Sequence, residues 1–220
     1  MVSLALGGLV VTVVVVLVLL YILRAWWSTP LFGFGAGGPD QPIAFPHTVH
    51  VNAGIQCEFC HRSVTKGDAA TVPAVQQCLF CHKTIVAEVD GQTNPEIAKL
   101  LAYGGLDPMG KEDPSTVPEP IDWERVHRLP DHVQFAHEPH LRFFTQGDGR
   151  GQAVEKAREL GVDLSDPPKP SELVEATCTI CHGKVREMEK VKQKRRLKMG
   201  DCVDCHRNND APTDCVTCHY

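Results

Sequence analysis

The chain has 220 residues, room for one domain or two small ones. A net charge of −5 argues against a nucleic-acid partner and for partners that carry basic patches. All ten cysteines fall in one five-residue word that occurs five times, which excludes a disulfide scaffold.

In chain order, Leu4 to Leu23 (LALGGLVVTVVVVLVLLYIL) is a charge-free run long enough to cross a bilayer as a helix. A cleaved secretory signal is the rival reading. The run exceeds a usual signal core, and no small-x-small site follows at once. Tyr21, Trp26 and Trp27 stand where an aromatic belt belongs. An uncleaved anchor over residues 1–28 is therefore expected. Arg24 follows the run and Met1–Ser3 carry no Lys or Arg, so charge alone favours the orientation opposite to the one required below. Residues 29–46 repeat Pro and Gly without periodicity and read as a tether.

FPHTVH follows, with His47 and His50 three apart, so that one helical turn aims both imidazoles from one side. Then come CEFCH at Cys57–His61 and CLFCH at Cys78–His82. Asn94-Pro95 reads as a helix start, Ile97, Leu100 and Leu101 as one apolar stripe, and Gly104-Gly105 as its end. Asp107 to Pro120 is a Pro-rich surface loop. Trp123 to His140 carries His127, His132, His137 and His140, and its FAHEPH repeats the Phe-x-His-x-x-His pattern of FPHTVH. Residues 141–177 read as an insertion, with a helix from Gln152 to Leu160 and a break at Asp166–Pro170. CTICH stands at Cys178–His182, CVDCH at Cys202–His206 and CVTCH at Cys215–His219. The charged stretch His182–Met199 is expected as a solvated helix, with Lys190–Lys198 as a basic run along it. The domains that result are the anchor 1–28, the tether 29–46, a first module 47–122 and a second module 123–220.

Pairs of Cys-x-x-Cys also build zinc ribbons and thiol redox sites. The fifth residue separates the readings. His is 11 of 220 residues, so chance would place it after about one pair in twenty, and here it follows every pair. Cys-x-x-Cys-His is the attachment site of a c-type haem. The two thiols add across the porphyrin vinyl groups, and the adjacent His is held beneath the ring as an axial ligand. Five covalent haem c groups are predicted, on Cys57/Cys60, Cys78/Cys81, Cys178/Cys181, Cys202/Cys205 and Cys215/Cys218. Their proximal ligands are His61, His82, His182, His206 and His219. One haem per about 40 residues leaves little room for a side-chain core. The fold class expected is mostly α with much irregular structure and few or no strands, cored by porphyrin faces, behind a transmembrane helix. The 6% aromatic content suits a core whose rings are cofactors. Haem is attached to this motif outside the bacterial cytoplasmic membrane, so the chain after Leu23 is expected on the periplasmic or exterior side.

Six histidines remain for the opposite faces of five irons, one more than needed. His47 and His50 would serve the first module, and His127, His137 and His140 the second. His132 falls outside the repeated frame and is the spare. Met188 or Met199 is an alternative at one site. Enough His to close every iron favours electron transfer over catalysis.

The repeated Phe-x-His-x-x-His ahead of Cys-x-x-Cys-His resembles the class III multihaem cytochromes c. Over Trp123–His140 and Cys178–Arg207 the patterns W-x-x-V-H-x-L-P-D-H-V-x-F-x-H-x-x-H and CxxCHGxVxxMxxVxQ…LxMGxCxxCHR resemble the membrane-anchored pentahaem subunit of alternative complex III. That resemblance implies a single-pass, non-catalytic relay that takes electrons from quinol-binding polytopic subunits, via an iron–sulfur subunit, to a soluble acceptor. It also implies the distal role for His47, His50, His127, His137 and His140. The alternative is a self-sufficient membrane-anchored quinol dehydrogenase that feeds a periplasmic reductase. A multihaem reductase, with one iron left open, and an electron-storage cytochrome are further readings.

Overall fold

Short helices and irregular chain alternate, because most of the local signals end a helix soon after it starts. The computed structural model describes residues 2–26, 37–194 and 196–220. The charge-free run lies in α1 (Val2–Trp26). Among the described residues, whose α1 side chains run from Gly7 to Leu23, no helix is long and apolar enough to cross a membrane. Every one of those side chains is exposed. The side chains of Arg24, Trp26 and Trp27, and most of the expected tether, lie outside the described part. The described end of the tether is not free. Ile43 is buried against Val75 and Leu100, and the Gln41 side chain donates to the Glu124 carbonyl while accepting from its N–H, both at 2.9 Å.

The first module holds α2 (His47–Asn52), α3 (Cys57–Cys60), α4 (Val75–His82), a hairpin of β1 (Glu88–Val89) and β2 (Gln92–Thr93), and α5 (Pro95–Tyr103). The hairpin pairs Glu88 with Thr93 and Val89 with Gln92. Its turn, Asp90-Gly91, has both φ angles positive, as a two-residue hairpin requires. α5 forms where its sequence predicts. The Asn94 side chain accepts from the Glu96 N–H at 2.9 Å, Pro95 fills the first turn, and Gly104-Gly105 ends it.

The second module holds α6 (His137–Gln146), α7 (Arg150–Glu159), α8 (Pro170–His182), α9 (Met199–Asn208) and α10 (Cys215–Cys218). Residues 141–177 are thus mostly helical. α7 stops at Gly161, φ +78°, where the Val162 N–H reaches back to the Ala157 carbonyl at 2.9 Å. Pro170 opens α8, and the Glu172 carboxylate accepts from the Lys169 N–H at 2.8 Å. Ala157, Val162, Leu164 and Ala176 then pack into a small core between α7 and α8.

The helix expected over His182–Met199 does not form. α8 ends at His182 because Gly183 takes φ +71°. A 3-10 turn spans Val185–Glu187, and among the described residues the chain after it is irregular until α9 begins at Met199. Arg186 ties this turn to α8 through both carboxylate oxygens of Glu175, at 2.8 Å each.

Three separate apolar clusters, not one, line these elements. Leu101, on α5, is the large side chain that is fully enclosed, at 0% exposure. Leu101→Ala is expected to cost about 2–5 kcal/mol, read as a lowered unfolding midpoint.

Candidate cofactor-binding site

The two Phe-x-His-x-x-His segments fold into the same clamp. In the first, the Phe45 ring stacks on His50 (4.4 Å, 22°) and meets His47 edge-on (5.0 Å, 86°). In the second, Phe135 stacks on His140 (4.4 Å, 27°) and meets His137 edge-on (4.9 Å, 88°). The second His of each clamp bonds through Nδ1 to the carbonyl just before its helix. His50 reaches Pro46 O at 3.2 Å, and His140 reaches Ala136 O at 2.7 Å.

Three clamp imidazoles face motif imidazoles across a constant gap. His50 stands 6.0 Å from His82, His137 6.3 Å from His182, and His140 6.0 Å from His206, between ring centres. Two imidazoles that share one metal ion have ring centres about 6 Å apart. The metal–nitrogen bond takes about 2 Å on each side and the half-ring about 1 Å more. An iron with two axial imidazoles fits these gaps, and direct ring contact would need them closer.

Nδ1 is occupied in most of these rings. His61 bonds to Thr71 O at 2.6 Å, His82 to Ile85 O at 3.0 Å, His206 to Pro212 O at 2.5 Å and His219 to His132 O at 3.2 Å. His137 bonds to Asp68 O at 2.5 Å, a residue of the other module. A proton held on Nδ1 leaves Nε2 bare, which is the tautomer that ligates a metal. Thr71 carries φ +56°, an uncommon conformation for a β-branched residue, and in it presents its carbonyl to His61. None of these carbonyls has a sequence signature. The two phenylalanines did, as part of the repeat.

The remaining predicted histidines are placed less symmetrically. His47 is half-buried, its enclosed Nδ1 has no protein partner, and burial, then His61, then His50 push it down to about 4. His182 is likewise pushed down to about 4 by burial, then by His127, His137 and His61. His127 lies edge-on to His182, 4.3 Å between centres, too close for a metal between them. Its Nε2 is buried with no protein partner. His132 stacks beside His219 at 5.4 Å and 15°. Its carbonyl accepts from His219 Nδ1 at 3.2 Å, which fixes the tautomer that leaves His219 Nε2 bare. Met199 is 68% exposed at the start of α9.

None of the ten cysteines forms a disulfide. Among the described residues no group of three or more His, Cys, Asp or Glu is placed to hold a metal ion. The sequence assigns every motif sulfur one role, but the structure sets the ten in unequal surroundings. Cys57 and Cys178 share a hydrogen bond, and both pack on Val64, Leu141 and Val174. That bond, with burial, holds the Cys178 thiol above its usual range, and Cys181, one turn further along α8 and half-buried, adds to the effect. Burial also pushes the Cys60 thiol up; Arg62 opposes it, and Cys57 and Cys81 reinforce it. The first two motifs therefore bring Cys60 and Cys81 near each other, with Cys81 half-buried near the end of α4. Its carbonyl accepts from the Thr84 and Ile85 N–H groups at 3.1 and 2.8 Å, which turns the chain just after the motif. Cys78 is pushed up by burial, then by Cys60. In the second module burial is uneven. Cys202 and Cys218 are half-buried, whereas Cys205 and Cys215 are exposed. The Asn209 side chain donates to the Cys205 carbonyl at 2.8 Å and lies 3.9 Å from its sulfur. Each of the last two motifs thus has one sulfur at the surface and one half-buried. The Cys57–Cys178 contact sets the first motif of the chain against the third.

Residues 49–102, which hold the first two motifs, match the family model described as Cytochrome c3. The chain is 28% identical over 212 residues to the menaquinone reductase, multiheme cytochrome c subunit, of Nitratidesulfovibrio vulgaris (strain Hildenborough), covering 88% of this chain and 82% of that protein. The chain thus carries a cytochrome c3-like multihaem domain, and covalently bound haem c is what the matched family implies for it.

Two outcomes follow from the geometry. Phe45→Ala should loosen the first clamp and Phe135→Ala the second, each at about 1–3 kcal/mol since both rings keep some exposure. The check is a high-spin electron paramagnetic resonance signal assigned to one module only. Histidines held near 4 stay neutral well below the usual 6.5, so their contribution to stability is complete above 6.5, falls away between 6.5 and about 4, and is gone below 4. Unfolding of the haem-free chain should therefore become easier as pH falls from 6.5 toward 4, read as a lowered unfolding midpoint.

Proposed function

We propose that this chain is the electron-relay subunit of a membrane quinone-linked oxidoreductase complex of the alternative complex III kind, with five covalent haem c groups. The observation that carries the reading is the repeated clamp, whose imidazoles face motif imidazoles across gaps of 6.0–6.3 Å. When bound, haem iron between two imidazoles takes up and releases one electron with little change of geometry.

The chain's residues supply the rest. The pairs Cys57/Cys60, Cys78/Cys81, Cys178/Cys181, Cys202/Cys205 and Cys215/Cys218 fasten the groups, and His61, His82, His182, His206 and His219 hold one face of each iron. His50, His137 and His140 hold the opposite faces at His82, His182 and His206. His47 takes the position opposite His61, supported by the electrostatic effect of His61 on it. His127, whose buried Nε2 has no protein partner, is left by count for the fifth iron, and its pairing with His219 is assigned by elimination. His132 stays outside the set as the residue whose carbonyl orients His219. With every iron closed on both sides, the chain conducts and does not itself catalyse. The Cys57–Cys178 contact supports a crossing between modules at their first motifs.

The exposed apolar side chains of α1, Leu9 to Leu23, support a single-pass anchor, with the domain on the periplasmic side. The similar protein is named for reducing menaquinone, whereas the resemblance over Trp123–His140 is to a complex that oxidises quinol. A relay of this kind conducts either way, and the potentials of donor and acceptor set the direction. We assign flow from a quinol-oxidising polytopic subunit, through an iron–sulfur subunit, to a soluble periplasmic acceptor.

Isolation of the complex from native membranes is expected to bring down iron–sulfur and polytopic subunits. A lone chain that oxidises quinol would instead make it a self-sufficient quinol dehydrogenase. Electron paramagnetic resonance of the holo-chain should show low-spin haem alone. His127→Ala should turn one of the five haems high-spin, while His132→Ala should not. The opposite pair of results overturns the His127 assignment.

A further inference from the structure

Residues 190–198 read Lys-Val-Lys-Gln-Lys-Arg-Arg-Leu-Lys, between the third and fourth motifs. Among the described residues Lys190, Lys192, Lys194, Arg196 and Lys198 are exposed, while Val191, Gln193 and Leu197 are partly buried. Five cations of this stretch thus stand open to solvent. Lys190 pairs with Asp40 at 2.5 Å. Among the described residues, Lys192, Lys194, Arg196 and Lys198 enter no ion pair. In a chain of net charge −5, this is an uncompensated basic stripe.

The stripe lies against the segment that leads to α1. A Cβ on Gly38 would collide with the Val191 carbonyl oxygen, so only glycine permits that approach. Asp40 bonds to Lys190, and Thr48 donates to Glu189 at 2.9 Å. From Gly37 the chain reaches Trp26, the end of α1, in eleven residue steps, which bounds the separation at about 40 Å.

We propose that this stripe is a binding site for anionic phospholipid headgroups at the membrane surface beside α1. The inference rests on the reading of α1 as a membrane anchor. Cations next to an anchoring segment are drawn to a surface of opposite charge, and the attraction fades within a Debye length of about 8–10 Å. Cations spread along an exposed stretch of chain present their charges to a surface, whereas a pocket would gather them round one ligand.

The test uses the full holo-chain in nanodiscs of phosphatidylcholine alone and of phosphatidylcholine with phosphatidylglycerol, labelled with an amine-reactive reagent and read by peptide mass spectrometry. Lys192, Lys194 and Lys198 should label about fivefold less in the anionic discs, with exposed Lys111 unchanged. The protection should vanish at about 1 M salt. The quadruple variant Lys192→Gln, Lys194→Gln, Arg196→Gln, Lys198→Gln should insert normally and retain less phosphatidylglycerol after detergent extraction. Equal labelling in both discs overturns the proposal. So does protection that appears only with the partner subunits present, which would mark an acidic protein face. A chain that enters neither disc refutes the anchor instead. Salt-sensitive binding to phosphatidylglycerol vesicles, present or absent, then decides the stripe by itself.

Discussion

An imidazole whose Nδ1 is held by a carbonyl has one nitrogen left to give, and much of this chain serves to aim that nitrogen. Such a hydrogen bond fixes both the tautomer and the ring direction. The acceptors come from loops: Thr71, Ile85, Pro212 and His132 behind the motif histidines, and Asp68 behind His137. This explains why so much of the chain is irregular. A helix keeps its interior carbonyls for itself, and only the chain around its ends has carbonyls to spare. Burial adds a second constraint by keeping His47 and His182 uncharged, the form in which imidazole binds a metal.

The two clamps agree to about a tenth of an ångström in their Phe–His spacings. In each, the second His faces the second motif of its module, His82 or His206. The modules are also joined where their first motifs meet, through the Cys57–Cys178 contact and the bond from His137 to Asp68. The protein is therefore one clamp used twice, back to back. The second copy is lengthened by α7 and α8, which bring their own apolar core.

What was legible in the sequence was whatever depends on side-chain identity at fixed spacing. The five motifs, the two His pairs, the Asn94-Pro95 helix start and the Gly161 stop all have that character. The surroundings of each sulfur do not: Cys181 and Cys205 hold the same place in the same word, yet one is half-buried on α8 and the other exposed on α9. Across His182–Met199 the local reasoning failed. Charged residues with scattered apolar ones suggested a wet helix, but Gly183 in a left-handed conformation ends α8, and only a 3-10 turn follows before α9 among the described residues. The insertion's helices and the docked tether depend on partners distant in sequence, such as Ile43 against Leu100, which no local pattern announces. Backbone acceptors leave no trace in the sequence at all.

The nearness of Cys57 and Cys178 bears on how the protein is made. Before ligation these are thiols in hydrogen-bonding contact, so an oxidant met at that stage would couple their sulfurs. Such coupling would stitch together halves of two different attachment sites and leave both unable to accept their porphyrin. Maturation must therefore either keep the unloaded polypeptide reduced or cap the first site before the second emerges.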